Sequence, residues 1–146
     1  MTLQSAAIPY RRSGNGHIEV LLVTSRRQGR WVFPKGNVKS GIPPHISAAL
    51  EAYEEAGVIG LVYAKPLGTY TQTKISPDGN SAPIRVQAYT MMVTDETGEW
   101  PEMNQRHRSW MTVDTATEAV RDPELRKVIR RLQTFASSTV APDMSS

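Results

Sequence analysis

Gly36-Asn37-Val38-Lys39-Ser40-Gly41-Ile42-Pro43-Pro44-His45-Ile46-Ser47-Ala48-Ala49-Leu50-Glu51-Ala52-Tyr53-Glu54-Glu55-Ala56-Gly57-Val58 is the stretch from which the rest of the chain takes its order. It opens as a glycine loop and closes as a helix. Proline is tolerated in a first helical turn, where amide donors lack partners anyway, so Pro43 and Pro44 mark the start. Ala48, Ala49, Ala52 and Ala56 give high helix propensity and a narrow face able to lie close to a sheet. Gly57 follows the last periodic residue and supplies a left-handed stop. Glu51, Glu54 and Glu55 stand at i, i+3 and i+4, on one side of this helix. These carboxylates repel one another, and Glu54 and Glu55, in the last turn, oppose the helix macrodipole at a cost of about 0.3–1 kcal/mol. A hard divalent cation would offset both effects, since Mg2+ prefers carboxylate oxygens and keeps waters in its shell. The competing reading is an acidic helix face bathed in solvent.

Working outward, residues 3–10 form a candidate first strand, ending at Arg11-Arg12 and the turn Ser13-Gly14-Asn15-Gly16. The run Val20-Leu21-Leu22-Val23 within residues 18–24 reads as a strand covered on both faces, paired with the first in a hairpin. A basic loop, Arg26-Arg27-Gln28-Gly29-Arg30, leads to the apolar Trp31-Val32-Phe33 and into Pro34-Lys35-Gly36. Beyond the helix, residues 61–63 and 67–73 are strand candidates. Residues 84–94 alternate, with Ile84, Val86, Ala88 and Met92 on one face and Arg85, Gln87 and Tyr89 on a polar one. Residues 106–113 return as a last strand, and Thr115 with Glu118 can open a short helix as a capping box. Asp122 as cap, Pro123 at the first position and Leu125, Val128, Ile129 and Leu132 at helical spacing predict a final amphipathic helix. The order predicts an α/β fold with a mixed sheet between helices. A single domain over residues 1–136 and a frayed tail over 137–146 are expected.

The chain has 146 residues, 17 Lys and Arg against 14 Asp and Glu, and no cysteine. That length suits one core, and the absence of cysteine excludes disulfides and thiolate metal sites. A formal charge of +3 is far below that of a protein that coats nucleic acid, so no stable nucleic-acid complex is expected. The charge is segregated: residues 1–39 carry seven basic side chains and one acidic, and residues 91–105 four acidic and none basic. No apolar run approaches the ~18 residues of a membrane span, and the first residues lack the basic-then-apolar order of a signal peptide. A soluble, cytoplasmic protein with no membrane partner is the expectation.

Gly36, Glu51, Glu54, Glu55, Gly57 and Val58 resemble the Nudix box, whose pattern is Gly, five residues, Glu, seven residues, Arg-Glu-apolar-any-Glu-Glu-any-Gly-apolar. Two charged positions depart: the first Glu falls on Ile42 and the Arg on Leu50. Exchanging both members of an ion pair for apolar groups can be neutral, so Ile42 and Leu50 are expected to meet as an apolar replacement for a polar tie. The segment Trp31-Val32-Phe33-Pro34-Lys35-Gly36 is similar to the branch acting on diphosphoinositol polyphosphates and dinucleoside polyphosphates, as are Leu67-Gly68, Trp100-Pro101-Glu102 and residues 106–110.

The resemblance implies hydrolysis of a diphosphate linked to another moiety, with Mg2+, or Mn2+, as the metal. By it, Glu54 and Glu55 are direct ligands, Glu51 a ligand or the general base, and the Gly36 carbonyl completes the metal site. Lys35 is placed to meet a phosphate as a point charge, with Arg11, Arg26, Arg27, Arg30, Lys74, Arg85, Arg106 and Arg108 as a rim for a polyphosphorylated small molecule. Trp31, Trp100 and Trp110 are either base-stacking or core residues. Alternatives are hydrolysis of nucleoside triphosphates or of an RNA 5′ end, and a non-catalytic Nudix-fold module that senses a nucleotide.

Overall fold

The computed structural model describes residues 2–138. Strand β1 (Thr2–Arg12) is the central element and β2 (Ile18–Thr24) folds back on it, Tyr10 opposite Val20, as the turn at residues 13–16 requires. The short β3 (Trp31–Val32) pairs with β2. Next comes β4 (Lys35–Asn37), antiparallel to the first half of β1 with Ser5 opposite Gly36. The glycine loop expected there thus begins as a strand. Helix α1 (Pro44–Ala56) follows, then β5 (Val58–Val62), β6 (Gly68–Ile75) and the long β7 (Ser81–Glu96), which runs parallel to β1 and carries β6 on its first half and β5 on its second. Strand β8 (Arg108–Thr112) pairs with β2 and passes directly into α2 (Val113–Ala119), after which α3 (Pro123–Ser138) ends the described chain.

The eight strands form one mixed sheet with an apolar core on each face. Even-numbered residues of β1 (Ala6, Ile8, Tyr10) and of β7 pack with Leu125, Val128, Ile129 and Leu132 of α3. On the other face Ala7, Leu21, Tyr89 and Met91 meet Ala48, Ala52 and Ala56. The three alanines bring α1 close to the sheet and so fix how near its carboxylates lie to β4. Tyr89, expected on a polar face, is 4% exposed beneath α1, because the second half of β7 is covered on both sides.

Gly57 has φ 68° and ends α1 as expected, its amide donating to the Tyr53 carbonyl at 3.0 Å. Strand β5 starts at the next residue, earlier than residues 61–63. Asp122 caps α3, its carboxylate accepting from the Glu124 amide at 2.9 Å. The short helix is capped by Thr112, which accepts from the Thr115 amide, rather than by Thr115, because β8 runs into α2 with no loop between. Helix α3 continues through Ser138, two residues into the expected tail; residues 139–146 lie outside the described part.

Candidate active site

Two stripes run down the buried side of α1. Ala48, Ala52 and Ala56 meet the sheet, and Ser47, Glu51 and Glu55, each one residue earlier, form a polar stripe against β4. The stripe is read out in order. Ser47 Oγ donates to the Asn37 carbonyl at 3.4 Å, the Glu51 carboxylate lies against Gly36, and Glu55 Oε1 accepts from the Lys35 amide at 3.3 Å. A Cβ on Gly36 would sit 2.4 Å from Glu51 Cδ and 2.6 Å from both its oxygens. Only glycine leaves room for that carboxylate.

Both carboxylates are buried, Glu51 at 7% and Glu55 at 5% exposure. Lys39 Nζ lies 2.7 Å from Glu51 Oε1. Arg106 lies 3.5 Å from Glu55 Oε2 and 2.9 Å from Glu102 Oε1, and also donates to the Thr24 carbonyl. Burial pushes the Glu55 carboxyl up to about 8; Arg106 opposes this, and the nearby charges of Glu51 and Glu102 add to it. Desolvation outweighs the ion pair because Arg106 is shared between two acids at unequal distances. Burial likewise lowers Lys35, whose Nζ donates to Gln4 Oε1 at 3.1 Å.

The carboxyl end of α1 is held by side chains from the β7–β8 region. Trp100 Nε1 donates to the Glu55 carbonyl at 3.0 Å, Arg108 Nη1 to the Ala56 carbonyl at 2.9 Å, and Thr97 to the Gly57 carbonyl. Arg108 also stacks on Trp100 at 3.8 Å and reaches Glu96 at 3.4 Å. A cation at this helix end complements the macrodipole, so Arg108 supplies part of the compensation that the sequence reading left to a metal.

An open cleft of about 1060 Å³ rises from Glu55. It gathers Arg26, Arg27, Arg30, Trp31, Lys35, Lys74 and Arg106, all singled out in the sequence, and adds Arg121, which was not. Arg121 precedes the α3 cap and carried only the signal of a helix start. Among the described residues, Arg27, Arg30, Lys74 and Arg121 form no salt bridge. Three expected rim residues lie outside the cleft lining: Arg11, stacked on Trp110 at 4.0 Å and bonded to Glu19, Arg85, exposed on β7, and Arg108, tied to α1. Trp100 and Trp110 belong to these arginine stacks and do not line the cleft.

The donor chemistry suits a hard divalent cation. Glu51 and Glu55 bring buried carboxylates to the Gly36 cradle, and the raised Glu55 pKa reports a surplus of negative charge that such an ion would relieve. The cage is not preassembled: among the described residues no three His, Cys, Asp or Glu side chains converge, and Glu54 is only half-buried. The apolar tie between Ile42 and Leu50 is not formed as a buried contact. Leu50 is 38% exposed and neither residue joins either core.

Sandwich, box and basic cleft together define a hydrolase of the Nudix type. The chain belongs to the NUDIX domain family, whose profile matches residues 1–132 and whose hydrolases act on phosphorus-containing anhydrides. It is 32% identical to Nudix hydrolase 16, mitochondrial, of Arabidopsis thaliana over 87% of this chain and 77% of that protein. It is 30% identical to human diphosphoinositol polyphosphate phosphohydrolase 3-alpha over 87% and 76% of the two chains. Other plant relatives are longer, the chain spanning about half of Nudix hydrolase 12. A Caenorhabditis elegans Ap4A hydrolase in a binary complex shares the fold with a TM-score of 0.71 at 20% identity, over 95% of this chain and all of that one. Several plant relatives carry mitochondrial names, which lends no support to a cytoplasmic location. Among the described residues no helix is long and apolar enough to cross a membrane.

Proposed function

We propose that this chain is an Mg2+-dependent pyrophosphohydrolase, with Mn2+ as a substitute, cleaving a diphosphate linkage in a densely phosphorylated small molecule such as a diphosphoinositol polyphosphate or a dinucleoside polyphosphate. The observation that carries the reading is the convergence of seven cationic side chains on one cleft with Glu55, four of them without an acidic partner. Unneutralised cations repel one another and persist where a polyanion repays the cost. The human and nematode relatives, by their names, act on such polyphosphates.

Glu55 and Glu54 would hold the ion, with the Gly36 carbonyl completing the site and Glu51 as a further ligand or the base that takes a proton from the attacking water. When bound, the ion supplies neutralisation of the diphosphate and a water acidic enough to attack at neutral pH. Lys35 and Arg106 are held by Gln4, Glu55 and Glu102 at fixed positions at the cleft floor, so they orient the near phosphates with little reorganisation. Arg27, Arg30, Lys74 and Arg121 take the outer charges. Trp31, half-buried in the same wall, offers a flat apolar surface to a ring.

The test is product release by the purified chain with Mg2+ or Mn2+ from a panel holding diphosphoinositol polyphosphates, dinucleoside polyphosphates, nucleoside triphosphates and triphosphorylated RNA. Turnover of the first two classes is expected. Turnover confined to nucleoside triphosphates or RNA would reassign the substrate, and no product from any would leave a sensing module. Arg30→Ala with Arg121→Ala is expected to raise KM for the preferred polyphosphate about tenfold, the loss of one charge-assisted contact, with kcat within about threefold. Gly36→Ala is expected to lower kcat about 100-fold, since an ångström of displacement at Glu51 is enough for that; full turnover with an intact circular dichroism spectrum would contradict the cradle.

A further inference from the structure

We infer that Lys39 is the positioning residue of Glu51, fastening the β4–α1 loop to the helix where the box positions in this chain carry no charge to do so. Leu50 is 38% exposed and Ile42 is only half-buried, so no ion pair through either can hold the two segments together. Lys39 does it from within the loop. Its Nζ donates to Glu51 Oε1 at 2.7 Å, its amide donates to Ser47 Oγ at 3.2 Å, and Ser47 Oγ donates onward to the Asn37 carbonyl at 3.4 Å. These bonds clamp residues 37–39 to the stripe of α1 that carries Glu51.

Gly36 bounds the same carboxylate from the other side, with no space for even one added carbon. Glu51 is therefore held between a glycine main chain and one ammonium group, which among the described residues is its only salt-bridge partner. The Lys39 side chain is 36% exposed against 10% for that of Glu51. Water screens the repulsion between its charge and an approaching cation, while the direction of its bond to the buried oxygen is kept. Partners of this kind set the orientation of a ligating carboxylate, and their removal typically costs 10–100-fold in metal affinity or activity.

The inference rests on the pyrophosphohydrolase reading, and Mn2+ binding separates the two. In the full chain, Lys39→Met is expected to bind Mn2+, followed by electron paramagnetic resonance, about 10–100-fold more weakly, and to lower kcat by a similar factor with KM within about threefold. Lys39→Arg, which keeps a charged donor, is expected to recover most of both. If Lys39→Met does not fold, Lys39→Gln is read by the same two quantities. Mn2+ affinity equal to or tighter than that of the unsubstituted chain, or no rescue by Arg in a folded protein, overturns the role of Lys39. An unsubstituted chain that turns over no substrate removes the pyrophosphohydrolase reading, and Mn2+ affinity alone then decides for or against Lys39.

Discussion

Glu55→Gln is expected to lower kcat about 1000-fold and, at pH 8 without metal, to make the protein more stable. The first effect follows from the loss of a charged ligand: an ion displaced from the diphosphate forfeits several kcal/mol of transition-state stabilisation, and ~4 kcal/mol is a factor of ~10³ in rate. The second follows from burial. Glu55 is 5% exposed and its carboxyl is pushed up to about 8, from an ordinary value of 4.5. A group whose folded pKa exceeds its unfolded one contributes fully below the unfolded value and loses that contribution as pH rises towards the folded value. The metal-free protein should therefore lose stability between about pH 4.5 and 8, by on the order of 4 kcal/mol from this group. Glu55→Gln removes that slope. Thermal melts at pH 5 and pH 8 with chelator read it directly; identical slopes in the two proteins would show that Glu55 ionises freely in the native state. Activity lost together with stability gained is a combination that simple damage to the fold does not produce.

Arg106→Met is expected to act in the opposite sense on stability. Its guanidinium is 9% exposed and serves Glu55, Glu102 and the Thr24 carbonyl together. Removing one partner of a buried ion pair leaves uncompensated charge and costs about 3–5 kcal/mol. For a domain of this size that is a fall in Tm of about 10 °C. The loss should be larger at pH 8 than at pH 5, because at pH 5 Glu55 keeps its proton and needs no cation. Combined with Glu55→Gln, the loss at pH 8 should shrink, since the two side chains share one interaction. Strictly additive effects would place the cost elsewhere, in Glu102 or the Thr24 carbonyl.

These two side chains also mark where sequence reasoning reached and where it stopped. Patterns that act within one helical turn were legible: Pro43-Pro44 and Gly57 bounding α1, the i, i+4 relation of Glu51 and Glu55, and Asp122-Pro123 opening α3. The mixed sheet followed from the order of elements. Strand β4 did not, because Lys-Gly-Asn has no alternation to betray it and exists as a strand only through its pairing with β1. The same holds for Tyr89, whose burial is decided by a helix forty residues away in sequence.

At the site, the type of chemistry was visible and its partners were not. Arg106 and Arg108 look alike two residues apart, yet successive residues of an extended segment point to opposite sides. One lines the cleft beside Glu55 and the other caps α1 through the Ala56 carbonyl. Arg121 is brought to the cleft wall by the α2–α3 connection, and Lys39 to Glu51 by the path of the β4–α1 loop. Each of these contacts spans too much chain for any local rule. The expected apolar meeting of Ile42 and Leu50 failed for the related reason that helical phase turns Leu50 towards solvent, opposite the alanine stripe.

The most direct measurement is calorimetric titration of Mn2+ into the purified chain at pH 7, in two buffers of different ionisation enthalpy, with Glu55→Gln alongside. A carboxyl held near pH 8 must give up its proton to become a ligand, so each ion bound should release about one proton. Saturable binding with that release, both lost in Glu55→Gln, is the expected result. No saturable binding, or binding that Glu55→Gln leaves unchanged, would contradict a metal centre built on the carboxylates that face Gly36.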